Sequence, residues 1–305
     1  MINNRSTGAD ASYHSLQLEA SHRLQNGLEY HSVFTYAKAL ADNQGPAQIG
    51  FAGENGGQRS TTPLSARVDF GNVYGTRRLR WNTTALYDLP IGRGRLLGAD
   101  MSRVADLFAG GWRLTSILTV QTGPYVMPYF PGGQGDPSGT GSGLTTAIAG
   151  FSMPGRDQHP DDVSGISRRP RGQNRLNWTN STAFACPGDP TWTPGNACTT
   201  GAGYDASGSP IGNHPLPIGR FGNNRVGSVE GPGLVNLSAG LSKSFALTES
   251  IHMKLEGTFT NVLNHTNLGD PNMDLSSTSF GLISNSIGSD FGGARTGQVA
   301  ARLEF

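Results

Sequence analysis

The chain has 305 residues, of which 44 are glycine and 18 proline; 35% are hydrophobic, the mean hydropathy is −0.35 and the formal charge is +1. It contains no run of about 18 apolar residues, which excludes helical membrane spans, and its scattered lysines and arginines form no basic stripe of the kind nucleic acid selects. So much glycine and polarity also fits disorder, but the balanced charge and the aromatic residues set in alternating runs favour an ordered chain.

Met1 is followed by Ile-Asn-Asn-Arg and by no apolar signal segment, as expected where a leader has been removed or where the chain begins inside a longer protein. The first segment with a period of two is Tyr13 to Leu24, and after the tight link Gln25-Asn26-Gly27 comes a second, Leu28 to Leu40. In the second, Leu28, Tyr30, Phe34 and Tyr36 alternate with Glu29, His31 and Thr35. The long link Ala41 to Thr76 leads to Arg77 to Pro90, where Leu79, Trp81, Ala85, Tyr87 and Leu89 alternate with Arg80, Asn82, Thr84 and Asp88. The next connection, Ile91 to Gly110, is intermediate in length. Its G-R-G-R-L-L-G, Gly92 to Gly98, has the third glycine one place late for a phosphate-binding fingerprint and no βαβ unit around it, so it reads as a turn. Within Leu96 to Leu107, the residues Leu97, Met101, Val104 and Leu107 share one helical side, which predicts a short helix capping this connection.

In the fourth segment, Gly111 to Tyr125, Trp112, Leu114, Leu118 and Val120 alternate with Arg113, Thr115 and Gln121. The longest connection, Val126 to Gly233, is dense in Gly, Pro and Ser, including G-G-Q-G-D-P-S-G-T-G-S-G, a composition that predicts partial mobility. Cys186 and Cys198 lie inside it in C-P-G-D-P-T-W-T-P-G-N-A-C. In an oxidising exterior they are expected to close a small disulfide loop contributing roughly 3 kcal/mol, with two free thiols as the alternative. One Cys pair supplies too few ligands for zinc. Asp157, His159, Asp161 and Asp162 form a polar cluster for which calcium is the minor reading.

Leu234 to Phe245, the short link Ala246 to Ser250, and Ser250 to Asn264 follow. In the last of these Ile251, Met253, Leu255, Gly257, Phe259 and Leu263 share one face and His252, Lys254, Glu256, Thr258 and Thr260 the other, with Asn261 breaking the pattern. In the connection His265 to Ala294, D-P-N-M-D at Asp270 to Asp274 alternates like a calcium loop. Leu275 stands where the turn glycine belongs and Gly281 where the bidentate Glu belongs, so a solvated external loop is expected. The final segment, Arg295 to Phe305, puts Val299, Ala301, Leu303 and Phe305 on one side.

Segments longer than ten residues with one apolar and one polar face fit strands of about 9 to 11 residues that cross a membrane with lipid on one side and a wet lumen on the other. The short and intermediate links fall at one end of these strands and the long links at the other, as the periplasmic turns and external loops of bacterial barrels do. The expected fold is therefore all-β: residues 1–305 form the carboxy-terminal strands of a larger antiparallel transmembrane β-barrel in the outer membrane of a Gram-negative-type bacterium, with 126–233 as a long Gly/Pro-rich external connection. The odd count of seven implies strands before Met1 or further strands in the connections. His252, Lys254 and Glu256 are candidate lumen-facing residues, in contact with solute, a plug or each other. Tyr13, Tyr36, Tyr87, Trp112, Tyr125 and Phe305 lie near strand ends, as interfacial aromatic girdles do. The alternation Val299, Ala301, Leu303, Phe305 reads as a carboxy-terminal barrel signal, with outer-membrane lipid and the barrel assembly machinery as its partners.

Several words of this sequence are similar to those of one family. They are Y-H-S-L-Q (Tyr13 to Gln17), T-Y-A-K-A-L-A-D (Thr35 to Asp42), L-Y-D-L-P-I-G (Leu86 to Gly92), G-G-W-R-L-T-S-I (Gly110 to Ile117) and Q-T-G-P-Y (Gln121 to Tyr125). W-T-N-S-T-A-F (Trp178 to Phe184), F-G-N-N-R (Phe221 to Arg225), G-P-G-L-V-N-L-S (Gly231 to Ser238) and E-G-T-F-T-N-V-L-N-H-T-N (Glu256 to Asn267) continue the series across nearly the whole chain. Together they resemble the carboxy-terminal barrel of Oar-like TonB-dependent receptors. The resemblance implies a wall of about 22 strands around an amino-terminal plug, on which the inner-membrane TonB complex pulls to admit a substrate such as a metal chelate, glycan or peptide. The plug, the coupling segment and most of the strands have no counterpart here, so these residues alone are not expected to transport. The words read as strand and turn grammar, and no functional residue is carried over from them.

No cofactor or metal is expected. A structural or adhesive outer-membrane protein that binds a surface partner through its long loops is the alternative. An enzyme is the distant third, since no G-x-S-x-G elbow or carboxylate pair with an apolar pocket is present.

Overall fold

The computed structural model describes residues 10–23, 27–42, 65–140, 146–148, 151–153, 157–202, 212–246, 248, 250–287 and 293–304. Seven long strands dominate it: β1 (Ala11–Arg23), β2 (Leu28–Ala41), β3 (Leu79–Asp88), β4 (Trp112–Gln121), β5 (Leu234–Ala246), β6 (His252–Thr260) and β7 (Thr296–Glu304). They pair antiparallel in strict chain order, each with the next, and the two-residue strand Gly71–Asn72 extends the sheet beside β2. The sheet is an open arc: among the described residues no strand lies beyond β1 or β7.

All seven predicted segments are strands, trimmed where local chemistry stops them. β6 ends at Thr260 because Asn261 takes a positive φ of 48°, a left-handed conformation that bends the chain out of the ladder. β3 ends before Pro90, which has no N–H to donate. β4 ends at Gln121, and Tyr125–Val126 turns away to pair with Val229–Glu230. There Gly123 passes so close to the carbonyl of Gly231 that a Cβ would collide with it, so these backbones meet only because a glycine stands at the crossing. The predicted 96–107 helix is shorter and later. α1 spans Arg103–Ala109, with Ser102 as its cap accepting from Ala105 N, while Leu97 instead pairs with Ile91 in the turn before it.

The register divides the sheet into two faces. One carries Leu16, Leu18, Phe34, Tyr36, Trp81, Leu114, Leu241, Leu255, Phe259, Val299 and Leu303, residues that align across successive strands. Among the described residues no layer covers this face: Leu16 is 54% and Val299 82% exposed. A water-soluble sheet would bury such a face against a second layer. Polar side chains on the same face satisfy one another, the Trp81 indole donating to Ser32 Oγ at 2.8 Å and Ser32 bonding Thr83 at 2.9 Å.

The core lies elsewhere. Nearly all fully buried apolar residues come from the connections 122–233 and 261–295, at the end of the sheet opposite the short turns, and Tyr74 of the connection 42–78 packs against them. Val126, Phe130, Phe184, Val229, Met273 and Leu275 form one cluster, flanked by Trp178, Trp192 and Phe280, and Phe130 meets Trp192 edge to face at 5.2 Å. Cys186 and Cys198 are joined by a disulfide within it. This packed head adds to one expectation and corrects another. The described part of the 126–233 connection holds a buried core despite its loop-like composition, because its apolar residues meet those of the other two connections. Likewise Asp270 to Asp274 is not a solvated loop, since Pro271, Met273 and Leu275 point inward and Asp274 bridges Tyr129.

Candidate functional site

The polar face of the sheet is the larger of two candidate surfaces. Its residues follow the register: Asp88 lies opposite Arg113, Arg113 opposite Ser242, and Ser242 opposite Glu256. Lys254 lies opposite Arg302, and His252 opposite Glu304. Asp88 holds Arg113 through two bonds, at 2.5 and 3.1 Å, and Lys254 pairs with Glu256 at 3.0 Å along the same strand. Arg302 reaches Glu304 at 3.5 Å, and on the far side Arg23 pairs with Glu29 at 3.0 Å and Glu19 with His31 at 2.8 Å. Of the predicted trio, Lys254 and Glu256 contact each other, while His252 stands exposed across from Glu304.

Every one of these pairs keeps access to solvent, so each contributes only about 0–1 kcal/mol to stability. They act instead as a wet wall of fixed donors and acceptors. Most of them gather toward the short-turn end, where Leu86, Asp88, Arg95, Arg113, Ser242 and Glu256 line a depression. Among the described residues no group of three His, Cys, Asp or Glu side chains is arranged to hold a metal ion.

The second surface is the head, and its polar residues are occupied in building it. Asp157 accepts from Gly132 N at 2.9 Å, His159 bridges Asp69 and the Asn224 carbonyl, Asp161 holds Arg220 at 2.7 Å and Asp162 holds Arg168 at 2.6 Å. The four residues of the sequence cluster thus bind other protein groups, and among the described residues they form no metal-holding group, which removes the calcium reading. Asn272 and Asp274 likewise accept from main-chain N–H groups two residues on, as Asx turns do. Burial raises the Asp157 carboxyl above the ordinary carboxylate value, and it pushes the Tyr74 and Tyr129 phenols up as well.

The recurrent asparagines that single-sequence reading passed over are structural ties. Asn267 is buried and exchanges two hydrogen bonds with Val235, accepting from its N–H at 2.9 Å and donating to its carbonyl at 3.0 Å, so it stands in for a neighbouring strand where β5 begins. Asn261 donates to the carbonyls of His265 and Gly293, and Asn224 donates to Asp162. Trp178 Nε1 donates to the carbonyl of Glu230, anchoring W-T-N-S-T-A-F to the strand leading into β5.

The aromatic girdle is corrected in part. Tyr36, Tyr87 and Trp112 lie on the apolar face near strand ends. Tyr13 falls on the polar face, in register with Ala39, and Tyr125 sits in the short pair with Glu230 inside the head. Val299, Ala301 and Leu303 share the apolar face of β7, and Phe305 lies outside the described residues. Lys243 was not anticipated. It occupies the apolar face opposite Trp112, and a lone lysine in an otherwise apolar register was the available signal.

A family model described as an outer membrane beta barrel domain matches residues 1–298. Neither the curated proteins nor the solved structures include a match to the chain. An uncovered apolar face, a wetted charged face, short turns at one end and a packed head at the other are the features a strand-built membrane wall requires. The chain belongs to the outer membrane beta barrel domain family, and its place is the bacterial outer membrane.

Proposed function

We propose that this chain is part of the wall of a TonB-dependent receptor of the Oar-like kind, which takes up a substrate too large or scarce for simple pores. The observation that best supports this reading is the open arc of seven strands with a continuous charged inner face. In lipid the free backbone groups of both edge strands must be paired, so further strands complete the circle, and a barrel that wide encloses a lumen with room for a plug. The half-exposed Asp88, Arg113, Lys254 and Glu256 suit reversible polar contacts to a plug or solute, since little stability depends on them. In this reading the head gives substrate its first contact, the chain performs no catalysis and binds no cofactor, and the strand Val299 to Phe305 engages the barrel assembly machinery.

The test is a photo-crosslinking residue placed at Glu256 in the intact protein in cells, with the same residue at Leu255 as reference. Crosslinking from Glu256, but not Leu255, to a plug segment, weakened when the proton gradient is collapsed, is the expected result. A permanently open, ion-conducting lumen with no such crosslink overturns it. The disulfide-stapled head supports a second reading, a structural or adhesive barrel that holds a surface partner, for which binding to intact cells is lost on reduction while uptake is absent.

A further inference from the structure

The connection between β3 and β4 carries an apolar surface that none of the described residues covers. Leu96, Leu97, Val104, Leu107 and Phe108 are all exposed, Leu96 at 83% and Phe108 at 69%. Val104, Leu107 and Phe108 have the i, i+3, i+4 spacing that puts them on one side of α1. By comparison, the described residues of the link between β5 and β6, Thr248, Ser250 and Ile251, form no helix.

Three contacts fix where this surface sits. The Trp112 indole donates to the carbonyl of Phe108 at 2.9 Å. The Lys243 ammonium donates to the carbonyl of Asp106 at 3.1 Å and to that of Gly110, which satisfies the exposed C-terminal end of the helix. The same ammonium lies 5.8 Å from the Trp112 ring centre and 5.1 Å from that of Phe245. Trp112, Lys243 and Phe245 all belong to the apolar face of the sheet. The helix is therefore tethered to the lipid side of the wall at the short-turn end, while Arg95 of the same connection reaches the depression on the polar face.

We infer that this connection is an interfacial anchor that seats Leu96, Val104, Leu107 and Phe108 in the headgroup and acyl boundary of the periplasmic leaflet. The occupant is phospholipid, because the helix is tied to the lipid-facing sheet residues Trp112 and Lys243 and is rimmed by that amphipathic Trp–Lys pair, suited to this depth. Arg103 opens the helix on its exposed side, as a long basic side chain reaching out of the interface does. Asp106 is turned inward instead, accepting from Arg93 N at 2.7 Å, so its carboxylate is kept from the apolar side. The anchor explains why a lysine is tolerated in the apolar register: its charge is spent on helix carbonyls and ring faces before lipid is reached. The inference rests on the outer-membrane placement of the strands and is independent of whether the barrel transports anything.

The native cysteines are both in the disulfide and no free cysteine is found among the described residues, so a single introduced thiol can be labelled selectively. A polarity-sensitive fluorophore is attached at Phe108→Cys, at Leu96→Cys and, as reference, at Ser250→Cys in the other turn. The intact protein is reconstituted in phospholipid vesicles containing lipids brominated either near the glycerol or deep in the chains. The expected result is blue-shifted emission at 108 and 96, strong quenching by shallow bromolipid and weak quenching by aqueous iodide, with the reverse at 250. This matches insertion of about 5–10 Å. Water-like emission at 108 and 96 with full iodide access overturns the anchor. Shielding from both quenchers also overturns it, since the surface would then be covered by protein, whether a second copy or a periplasmic partner.

Discussion

The sheet and the head of this molecule are stabilised by opposite means. In the sheet, most side chains of both faces stay accessible and the strands are held by backbone ladders, so the apolar residues find their apolar partner in lipid. In the head, Phe130, Phe184 and Leu275 are buried by other residues of the protein, a disulfide staples one loop, and asparagines replace missing backbone partners. The difference shows that a strand-rich composition poor in apolar residues does not mean a protein without a core; the core has moved to the connections, where water would otherwise reach the backbone.

The sharpest way to separate the two regions is a charge on the lipid side. Leu255→Arg is expected to cost about 2–4 kcal/mol in a folding titration in lipid if Leu255 lies near the midplane, with the head disulfide still formed. Next, Cys186→Ser with Cys198→Ser removes a cross-link closing a loop of sequence separation 12, with an expected loss of roughly 3 kcal/mol. That loss should appear as protease sensitivity of the head while strand signals in circular dichroism stay unchanged. Simultaneous melting of sheet and head would break the comparison.

Smaller effects probe the joint between the regions. Asn267→Ala leaves the N–H and carbonyl of Val235 without their partner, and a cost of about 1–3 kcal/mol is expected, read as faster hydrogen exchange at the Val235 amide. Asp157→Asn tests the head's buried carboxyl. A carboxyl whose pKa is raised by burial favours the folded head most when protonated, below the unfolded value, and that contribution is lost as pH rises through the folded pKa. The variant is therefore expected to be the more stable at neutral pH, with the advantage shrinking as pH falls and absent below the ordinary value of 3.8. Equal thermal stability of the two proteins at neutral pH would count against it. Smallest of all, Glu256→Gln on the wet wall should change stability by less than about 1 kcal/mol, because its partner Lys254 stays half-exposed in solvent.

The strand pattern was readable because its signal is local. Leu255 and Glu256 point to opposite faces whatever surrounds them, and the trimming at Asn261 and Pro90 follows from single residues. The trio His252, Lys254 and Glu256 was placed on one face by the same rule, with contact among them one of the readings it allowed, but not the Asp88–Arg113 pair beside it, which depends on β3 meeting β4. Tyr13 and Tyr125 show where local reading fails: nearness to a strand end does not say which face a ring occupies or which sheet the strand joins.

What the sequence determined by itself is the period-two alternation of seven strands and the order of short and long links, since both are properties of neighbouring residues. Only the tertiary structure decided the head. His159 meets Asp69 across 90 residues, Asn72 meets the Gly227 carbonyl across 155, and Met273 and Leu275 are inward only because Val126 and Phe184 come from another connection to cover them. The apolar residues of each loop are too few to bury themselves, so their roles exist only once the strands have brought three loops to one end.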